Sequence, residues 1–436
     1  MDYSTNTNFL GLTFSLLMAA LLLVLPRKYA TIPIFLTACF MTNGQRIDIA
    51  GLNFYMLRIL ILVGLARSFF RKEISFLKLN TIDKAMIIWV TSNVIIYTLL
   101  RLDSGAFINR LGYAFNILGL YFLFRFLIQD FSEVERVFKY LSVILVLTAV
   151  AISVEYFTGK NIFAIFGGVD EISSIRFERI RCKGAFRHPI LAGTFGAIFM
   201  PLSALLWFDK KNSRLFAIVV FIAATFIVFA SGSSGPVVTY LVVLIGLLIW
   251  PLREYLKVLT IAGLSALIML HILMKAPVWF LIAKLSDFFG GGTGYYRSKL
   301  INVAIKRFDE WWLLGTDYTA HWMPRTLRID PTMVDITNTY IRQGVDGGLL
   351  TLILFVLVII LCFSSIGKSL SAIEKQPFAM RLTVWSMGTM LFAHCVTFLS
   401  VTYYDQIIVF WYMLLAMISI SSSLALSVGY AGSREL

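Results

Sequence analysis

Charged residues are scarce in this sequence. Only 14% of its 436 residues are Asp, Glu, Lys or Arg, while 59% are hydrophobic, and the mean hydropathy is +0.83. A soluble domain carries about 25% charged residues, so the composition excludes an ordinary soluble protein. The sequence also lacks a heptad array and a low-complexity tract, and we expect no soluble domain at either end.

Cysteine is scarce as well. Cys39, Cys362 and Cys395 fall in or near apolar runs, and Cys182 falls in a polar segment. They do not suggest a disulfide framework, and no pair has ligand spacing, so we interpret them as small apolar filler. The segments between the apolar runs contain neither a D-x-D motif nor a His/Cys cluster. We therefore expect no metal site and no cofactor.

Long apolar runs are what the sequence has instead. Runs of about 17–25 residues recur along the chain, each long enough to cross ~30 Å of hydrocarbon, whereas β-barrel strands alternate in polarity. We predict an all-α polytopic membrane protein with about 12–13 transmembrane helices, the smaller number applying if the short run 30–44 is re-entrant. The first run lacks a basic n-region and an A-x-A site and is expected to be a retained helix. The predicted spans are residues 9–25, 30–44, 53–70, 83–100, 108–128, 137–157, 188–207, 215–231, 235–250, 255–274, 338–363, 381–400 and 405–427.

The net charge of +14 is distributed unevenly. Every second loop, starting after the first span, is short and basic, so the positive-inside rule puts these loops in the cytoplasm. The opposite loops are then external, and two of them, 158–187 and 275–337, are long. They separate three groups of transmembrane helices, in residues 1–157, 188–274 and 338–436. The cytoplasmic basic residues are Arg27, Lys28, Arg71, Lys72, Lys78, Arg136, Lys139, Lys210, Lys211, Arg214, Arg253, Lys257, Lys368, Lys375 and Arg381.

The first long external loop is rich in basic residues, which the positive-inside rule does not predict for an external loop. One interpretation is a solvated loop with ion pairs, such as Glu178 with a neighbouring Arg. The other is a site for an anion at the outer membrane surface, because the planar Arg fork binds two phosphate oxygens. The helix that begins at His188 and Pro189 adds free N–H groups and a positive dipole end. The basic residues of the loop are Lys160, Arg176, Arg179, Arg181, Lys183 and Arg187.

The second long external loop combines amphipathic segments with a break. Residues 275–289 repeat apolar side chains at helical spacing, which predicts a helix lying flat in the membrane interface. The sequence GGGTG at 290–294 then interrupts the chain. Residues 295–315 predict a second amphipathic helix, with Arg297 near its start and Gly315 at its end. Its expected apolar face consists of Ile301, Ile305, Phe308 and Trp312.

Polar residues mark the junction between this loop and the next span. Asp335 is either an N-terminal helix cap or a general base at the membrane face, with Asn338 orienting a sugar hydroxyl. Arg342 and Asp346 are spaced to pair with each other, and an ionisable residue at the end of a span suggests a polar cavity between helices. The small-residue segment SGSSGP (231–236) either forms a tight turn or lets backbone N–H groups approach a ligand.

Four of these segments, in this order, resemble the O-antigen ligase and O-antigen or exopolysaccharide polymerase-like membrane proteins. The first is R-x-x-G-x-F-x-H-P (181–189) at the start of a span. The small-residue turn follows, then Arg297 upstream of W-W-L-L-G (311–315), and finally T-N-x-Y…G…G-G (337–348). The resemblance covers mainly residues 176–350, and the N-terminal spans match only as hydrophobic helices.

The resemblance implies a multi-spanning, GT-C-like, metal-independent and inverting glycosyltransferase of the bacterial inner membrane, with its active site facing the periplasm. It also implies an undecaprenyl-diphosphate-linked oligosaccharide as donor, with membrane lipids, a flippase and a chain-length regulator of the same pathway as partners; no nucleic acid is expected. Two positions depart from the family pattern, because its His before Asn is Thr337 here and an Arg often found in the small-residue turn is Ser234. Asp335, His321 or His188 could replace that His as proton acceptor, or the acceptor hydroxyl needs little base help.

We therefore expect a polymerase that passes a glycan to a lipid-linked repeat unit. The alternative is a ligase acting on a lipid A core, and the replacement of the family His by Thr337 favours the polymerase. A transporter, such as a flippase for the same units, is expected to bury charges at mid-span and to break helices near the bilayer centre. The predicted spans are mostly free of charge, with Arg125 and Glu155 near span ends explained by snorkelling. A scaffold subunit would not require so many external Arg residues.

The expected roles follow from the chemistry of diphosphate departure. Arg181 and Arg297 are expected to stabilise the charge that builds on the leaving diphosphate, and Asp335 is the leading candidate for the base. The further expected substrate-binding residues are Arg176, Arg179, Arg187, His188, His321, Asn338, Tyr340 and Arg342.

Overall fold

Helices account for most of the chain. The computed structural model describes residues 8–49, 52–74, 79–209, 213–328, 330–331 and 333–432, and the chain is 76% helical. Among the described residues, 6 helices are long and apolar enough to cross a membrane, so this is an all-α polytopic membrane protein. Three of the predicted cytoplasmic cations, Lys78, Lys210 and Lys211, lie outside the described residues.

The helices are α1 (Phe9–Val24), α2 (Thr31–Phe40), α3 (Met56–Phe70), α4 (Thr81–Arg101), α5 (Ser104–Leu127), α6 (Phe131–Thr158), α7 (Pro189–Phe199), α8 (Pro201–Phe208), α9 (Arg214–Ala230), α10 (Ser234–Leu248), α11 (Leu256–Leu273), α12 (Leu281–Phe288), α13 (Gly294–Lys306), α14 (Phe308–Trp311), α15 (Thr339–Ala372), α16 (Phe378–Phe398) and α17 (Ile407–Gly432). Two antiparallel hairpins are formed by β1 (Arg46–Ile49) with β2 (Leu52–Tyr55) and by β3 (Ser174–Arg176) with β4 (Arg179–Arg181). The candidate spans are α4, α5, α6, α7 continued by α8, α11 with the turn before it, and α15.

The two long loops lie at the same end of the helix bundle. Gln406, between α16 and α17, donates from Nε2 to the carbonyl oxygen of Ala185 in the first long loop at 2.8 Å. Thr402, in the same connection, donates to the carbonyl oxygen of Ile336 in the second long loop at 2.5 Å. We call this end the long-loop face and the opposite end the short-loop face.

The short run 30–44 passes from one face to the other although its helix is short. Arg27, just before it, pairs with Glu133 at the start of α6 at 2.9 Å. Gln45, just after it, donates to the carbonyl oxygen of Phe166, beyond the far end of α6. The intervening chain packs α2 against α6 and then leaves the helix and turns at residues 43–44, which supports the crossing alternative over the re-entrant one.

Helix α15 is interrupted near the long-loop face. Residues 347–348 leave the helical conformation, and Gly348 has φ +68°. The backbone N–H of Leu349 donates to the carbonyl oxygen of Trp312 at 2.8 Å, so the second long loop takes the place of the lost helical hydrogen bond. The prediction of one continuous helix across the junction is therefore wrong, because tertiary contact with the loop breaks it.

The second long loop forms shorter helices than predicted. The expected helix 295–315 is divided into α13 and α14. Its buried side is also displaced from the predicted apolar face, since Ile305, Phe308 and Trp312 are exposed. The residues that this segment buries are instead Leu300, Ala304 and Trp311.

Two charged residues near span ends are buried rather than snorkelling. Arg125 is 3% exposed and Glu155 is 0% exposed. Arg125 forms an ion pair with the buried Asp83 at 3.1 Å, and Glu155 accepts hydrogen bonds from the first long loop. The snorkelling interpretation is wrong for both, because each charge has a partner inside the protein.

Candidate functional site

A cavity of about 950 Å³, lined by charged, polar and apolar side chains, lies at the long-loop face between α5, α15, α17 and both long loops. The sequence-predicted residues that line it come from segments far apart in the chain. They are Arg187, His188, Arg297, Asp335 and Arg342, and Thr337 lines the cavity as well. The fold thus brings positions from the basic loop, α13, the junction before α15 and α15 itself to one space.

Arg297 is a buried cation of this cavity. It lies on α13 and is 6% exposed, and within the described part of the chain it forms no ion pair. Burial and, after it, the positive charges of Arg176 and Arg181 lower the pKa of Arg297 to about 10. The negative charge of Asp335 opposes this shift. Because an uncompensated buried charge is costly, the position is suited to binding an anion.

Arg181 lies beside Arg297, just outside the cavity lining. Its guanidinium donates to the hydroxyl of Ser233 at 2.9 Å, and its buried Nε has no hydrogen-bond partner among the described residues. Burial, followed by Arg176, lowers the pKa of Arg181. The two arginines therefore repel each other weakly while both retain capacity for an anion.

The small-residue turn 231–236 lies against both arginines. A Cβ at Gly232, whose φ is +54°, would lie 3.0 Å from Cγ of Arg181, and a Cβ at Gly235 would lie 3.9 Å from a terminal amino group of Arg297. Gly232 also needs its left-handed backbone, which favours glycine. The turn thus packs closely against both arginines, and the hydroxyl of Ser234 hydrogen-bonds to that of Ser286 on α12 at 3.3 Å.

Arg176 and Arg179 lie on the hairpin β3–β4, where they face each other across the turn. The two turn residues, Phe177 and Glu178, both have positive φ, as a type I′ hairpin turn requires. Both arginines are exposed and outside the cavity lining. Arg176 therefore contributes charge near Arg181 and Arg297, and neither Arg176 nor Arg179 lines the cavity.

Glu155 fixes the start of the segment 181–189, which we call the basic motif. Its carboxylate accepts from the backbone N–H of Gly184 at 2.7 Å, from that of Lys183 at 3.1 Å and from the hydroxyl of Ser173 at 2.9 Å. Lys183 also pairs with Asp170 at 2.8 Å. A membrane-helix carboxylate thus anchors the segment that carries Arg181.

His188 caps α7 and is held in one tautomer. The backbone N–H of Ile190 donates to its Nδ1 at 3.1 Å. Burial, and after it the neighbouring cations led by Arg181, lowers the pKa of His188 to about 4. The neutral ring therefore carries its proton on Nε2, so it can donate a hydrogen bond to a ligand but has no free acceptor nitrogen.

Asp335 faces the same cavity from the end of the second long loop. The hydroxyl of Tyr296 donates to its backbone carbonyl at 2.7 Å, leaving the carboxylate available. Burial raises the pKa of Asp335, and Arg342 and Arg297 oppose the rise. A raised pKa and a position between two cations suit a carboxylate that accepts a proton.

The helix cap at this junction is Asn338. Its side chain accepts from the backbone N–H of Ile341 at 3.0 Å and donates to the carbonyl oxygen of Leu399 at 3.0 Å. The alternative that Asp335 caps α15 is therefore wrong, because the helix begins after Asn338.

Three residues expected to bind substrate lie away from the cavity. Asn338 is 3% exposed and occupied as the cap. The hydroxyl of Tyr340 donates to the carbonyl oxygen of Cys395 at 3.1 Å, within the core. His321 pairs with Glu310 at 2.9 Å on the outer side of the second long loop. None of the three is among the lining residues.

Three further charged residues of the cavity were not assigned to it from the sequence. Arg110 on α5 pairs with Asp346 at 3.1 Å, and Asp405, with φ +56°, lies 3.5 Å from Arg187. Arg110 falls inside a predicted span, and an ionisable residue there is a usable signal for a functional site. Asp405 follows no sequence pattern.

The His, Cys, Asp and Glu side chains that the structure describes form no group of three or more that could hold a metal ion. All four cysteines are free, and Cys39, Cys182 and Cys362 are buried. The comparisons with known proteins add no identity: no protein-family model matches the chain, and no curated protein is significantly similar to it.

Proposed function

We propose that this protein is a polysaccharide polymerase of the bacterial inner membrane. It transfers a glycan from an undecaprenyl-diphosphate-linked donor to a lipid-linked repeat-unit acceptor on the periplasmic face. The observation that carries the proposal is the buried Arg297 beside Arg181, with Asp335 in the same cavity.

The orientation rests on charge distribution. Arg27 and Lys139, among other basic residues of the short loops, lie at the short-loop face, where they pair with Glu133 and Asp209. The positive-inside rule puts that face in the cytoplasm. The long-loop face and its cavity are then periplasmic, where a flipped lipid-linked unit is presented.

The leaving group is a diphosphate. When the bond between the anomeric carbon and the diphosphate oxygen breaks, the electron pair stays on that oxygen. Arg297 and Arg181 are placed to meet this charge, and guanidinium forks bind two phosphate oxygens at once. The Nε2–H of His188 adds a neutral donor at the same end. Fixed donors of this kind lower the barrier because they need no reorganisation as charge develops.

Asp335 is the best-placed base. The acceptor hydroxyl loses its proton to this carboxylate as its oxygen attacks the anomeric carbon opposite the leaving diphosphate, which inverts the configuration. His188 is unsuited to this role because its accepting nitrogen is occupied, and His321 because it lies outside the cavity. The chemistry is that of a GT-C-like, metal-independent transferase in which arginines bind the diphosphate.

A ligase would use the same cavity, so a deletion strain separates the two activities. A lost polymerase leaves single-repeat products, whereas a lost ligase leaves long chains on the lipid carrier. We expect single repeats, because Thr337 stands where related ligases have His.

A transporter is the rival class, and the break in α15 together with the Arg110–Asp346 pair favours it. However, residues 349–372 alone extend about 36 Å, enough to cross ~30 Å of hydrocarbon. The break and the ion pair therefore lie near one membrane surface, whereas transporter sites lie near the midplane.

Purified protein in detergent, given lipid-linked repeats extracted from the deletion strain, tests the function. Chain growth without a second compartment supports a polymerase and excludes a pure transporter. Arg297→Gln is expected to slow growth by about 10²–10³-fold. Arg325→Gln, which removes an exposed cation of the same loop, is the matched control. Absence of growth with the wild-type protein contradicts the proposal.

A further inference from the structure

A second cationic centre lies at the α5–α15 side of the cavity. On α15, Nε of Arg342 donates to Asp346 one turn later at 2.8 Å. Arg110, from α5, pairs with the same carboxylate oxygen at 3.1 Å. Two guanidinium groups share one carboxylate, so the cluster keeps a single net positive charge.

The two arginines of this cluster have different surroundings. Arg110 is 5% exposed, and its guanidinium carbon lies 3.6 Å from the ring centroid of Tyr97. The side chain of Arg342 is 45% exposed and lines the cavity. Its terminal amino groups have no partner among the residues that the structure describes. Arg110 therefore supports Asp346, while Arg342 is available to a ligand.

The position of Arg342 is fixed before any ligand arrives. Asp346 holds its Nε, and the interruption of α15 directly after Asp346 is locked by the loop residues Trp312 and Leu313. A prepositioned guanidinium fork loses little conformational entropy on binding.

Asp335 lies within electrostatic reach of both cationic centres, since Arg342 and Arg297 both act on its carboxylate. If Arg297 receives the departing diphosphate, the attacking hydroxyl approaches Asp335 from the other side. Arg342 is then on the acceptor side of the base.

We propose that Arg342 binds the carboxylate of an acidic sugar in the acceptor repeat unit, and this rests on the proposed function. A single free positive charge matches a single carboxylate, and the planar fork can bind both of its oxygens. A neutral sugar would offer no opposite charge to the terminal amino groups of Arg342. Tyr113, next to Arg110, also lines the cavity and offers an aromatic face to a sugar ring.

Chain growth with native and carboxyl-reduced repeats tests this proposal. Lipid-linked repeats from the deletion strain are divided, and one portion is treated with carbodiimide and borohydride, which converts uronic acids to neutral hexoses. Wild-type protein is expected to extend the native repeats at least tenfold faster than the reduced repeats. Arg342→Gln is expected to lose that preference, Arg342→Lys to keep part of it, and Arg325→Gln to keep all of it.

Three results overturn the inference while chain growth itself still supports the polymerase. These are repeats that contain no acidic sugar, equal extension of both substrates by the wild type, and an Arg342→Gln variant that slows both substrates but keeps the preference. The last result would place Arg342 on the carrier's diphosphate. Failure of wild-type protein to extend any repeat overturns the proposed function as well.

Discussion

Gly348 in the broken helix α15 lies directly against Leu313 of the second long loop. A Cβ at position 348 would clash with the carbonyl oxygen of Leu313, and the residue has φ +68°. The glycine pair and the W-W-L-L-G segment, which are separate motifs in the sequence, are thus two sides of one contact. This contact fixes the helical turn that carries Arg342 and Asp346.

Gly348→Ala is therefore expected to destabilise the protein. The left-handed backbone alone costs about 1–3 kcal/mol for a non-glycine residue, and the clash with Leu313 adds to it. Gly367→Ala on the same helix is the control, because a Cβ there meets nothing within 4 Å. Thermal unfolding in detergent should show a lower midpoint for Gly348→Ala alone; equal midpoints would mean that the loop does not lock the helix.

Replacing Glu155 should loosen the basic motif. Glu155→Gln weakens the hydrogen bonds to the backbone of Lys183 and Gly184, and a poorly satisfied buried N–H costs about 1–3 kcal/mol. Limited proteolysis should cleave residues 159–187 faster, and KM for the donor should rise more than kcat falls. Glu171→Gln, whose carboxylate is exposed, should change neither, and an unaltered proteolysis pattern in Glu155→Gln would contradict the anchoring role.

The pH dependence of stability should reveal the lowered pKa of His188. Its pKa is about 4 in the folded protein, below the ordinary histidine value of 6.5, so the unfolded chain binds a proton that the folded chain does not. As pH falls from 6.5 towards 4, this difference lowers the free energy of unfolding. His188→Asn keeps a capping side chain but removes the titration. Its unfolding midpoint should vary less with pH over this window than that of the wild type; parallel curves would refute the shift.

His321 should be dispensable for chain growth. It lies outside the cavity and stabilises the loop through Glu310. Burial alone would raise the pKa of the Glu310 carboxyl, but hydrogen bonds from His321 and Trp322 lower that pKa to about 2. That stabilisation is present above pH 4.5 and is lost as pH falls towards 2. His321→Gln should therefore lower the melting midpoint at neutral pH but leave the growth rate within about threefold. A rate loss like that of Asp335→Asn would reassign the base.

The sequence predicted the helical membrane class and several residues that meet in the cavity. His188 and Asp335 could be predicted because ionisable residues beside the start of a predicted span suggest a functional site, and Arg297 because its place before W-W-L-L-G carries the resemblance to the O-antigen ligases and polymerases. The break at 347–348 could not be predicted, because it depends on a backbone hydrogen bond from residue 349 to residue 312.

Two other errors have equally local causes. Asp335 and Asn338 are both good capping residues, and only the fold shows which of them precedes the first helical turn. The predicted apolar face of 295–315 is wrong even before the chain leaves the helix at Arg307. Within α13, Leu300 and Ala304 are buried while Ile305 is exposed, because the side that is buried depends on the tertiary neighbours of the helix.

The rate of diphosphate release in a single turnover tests the central claim most directly. Purified wild-type protein, Arg297→Gln and Arg325→Gln are each mixed in excess with donor and acceptor repeats, and free undecaprenyl diphosphate is measured over time. The rate for Arg297→Gln should fall by about 10²–10³-fold, with the control unchanged. An Arg297→Gln rate within about threefold of the wild type would contradict the claim that this buried arginine stabilises the departing diphosphate.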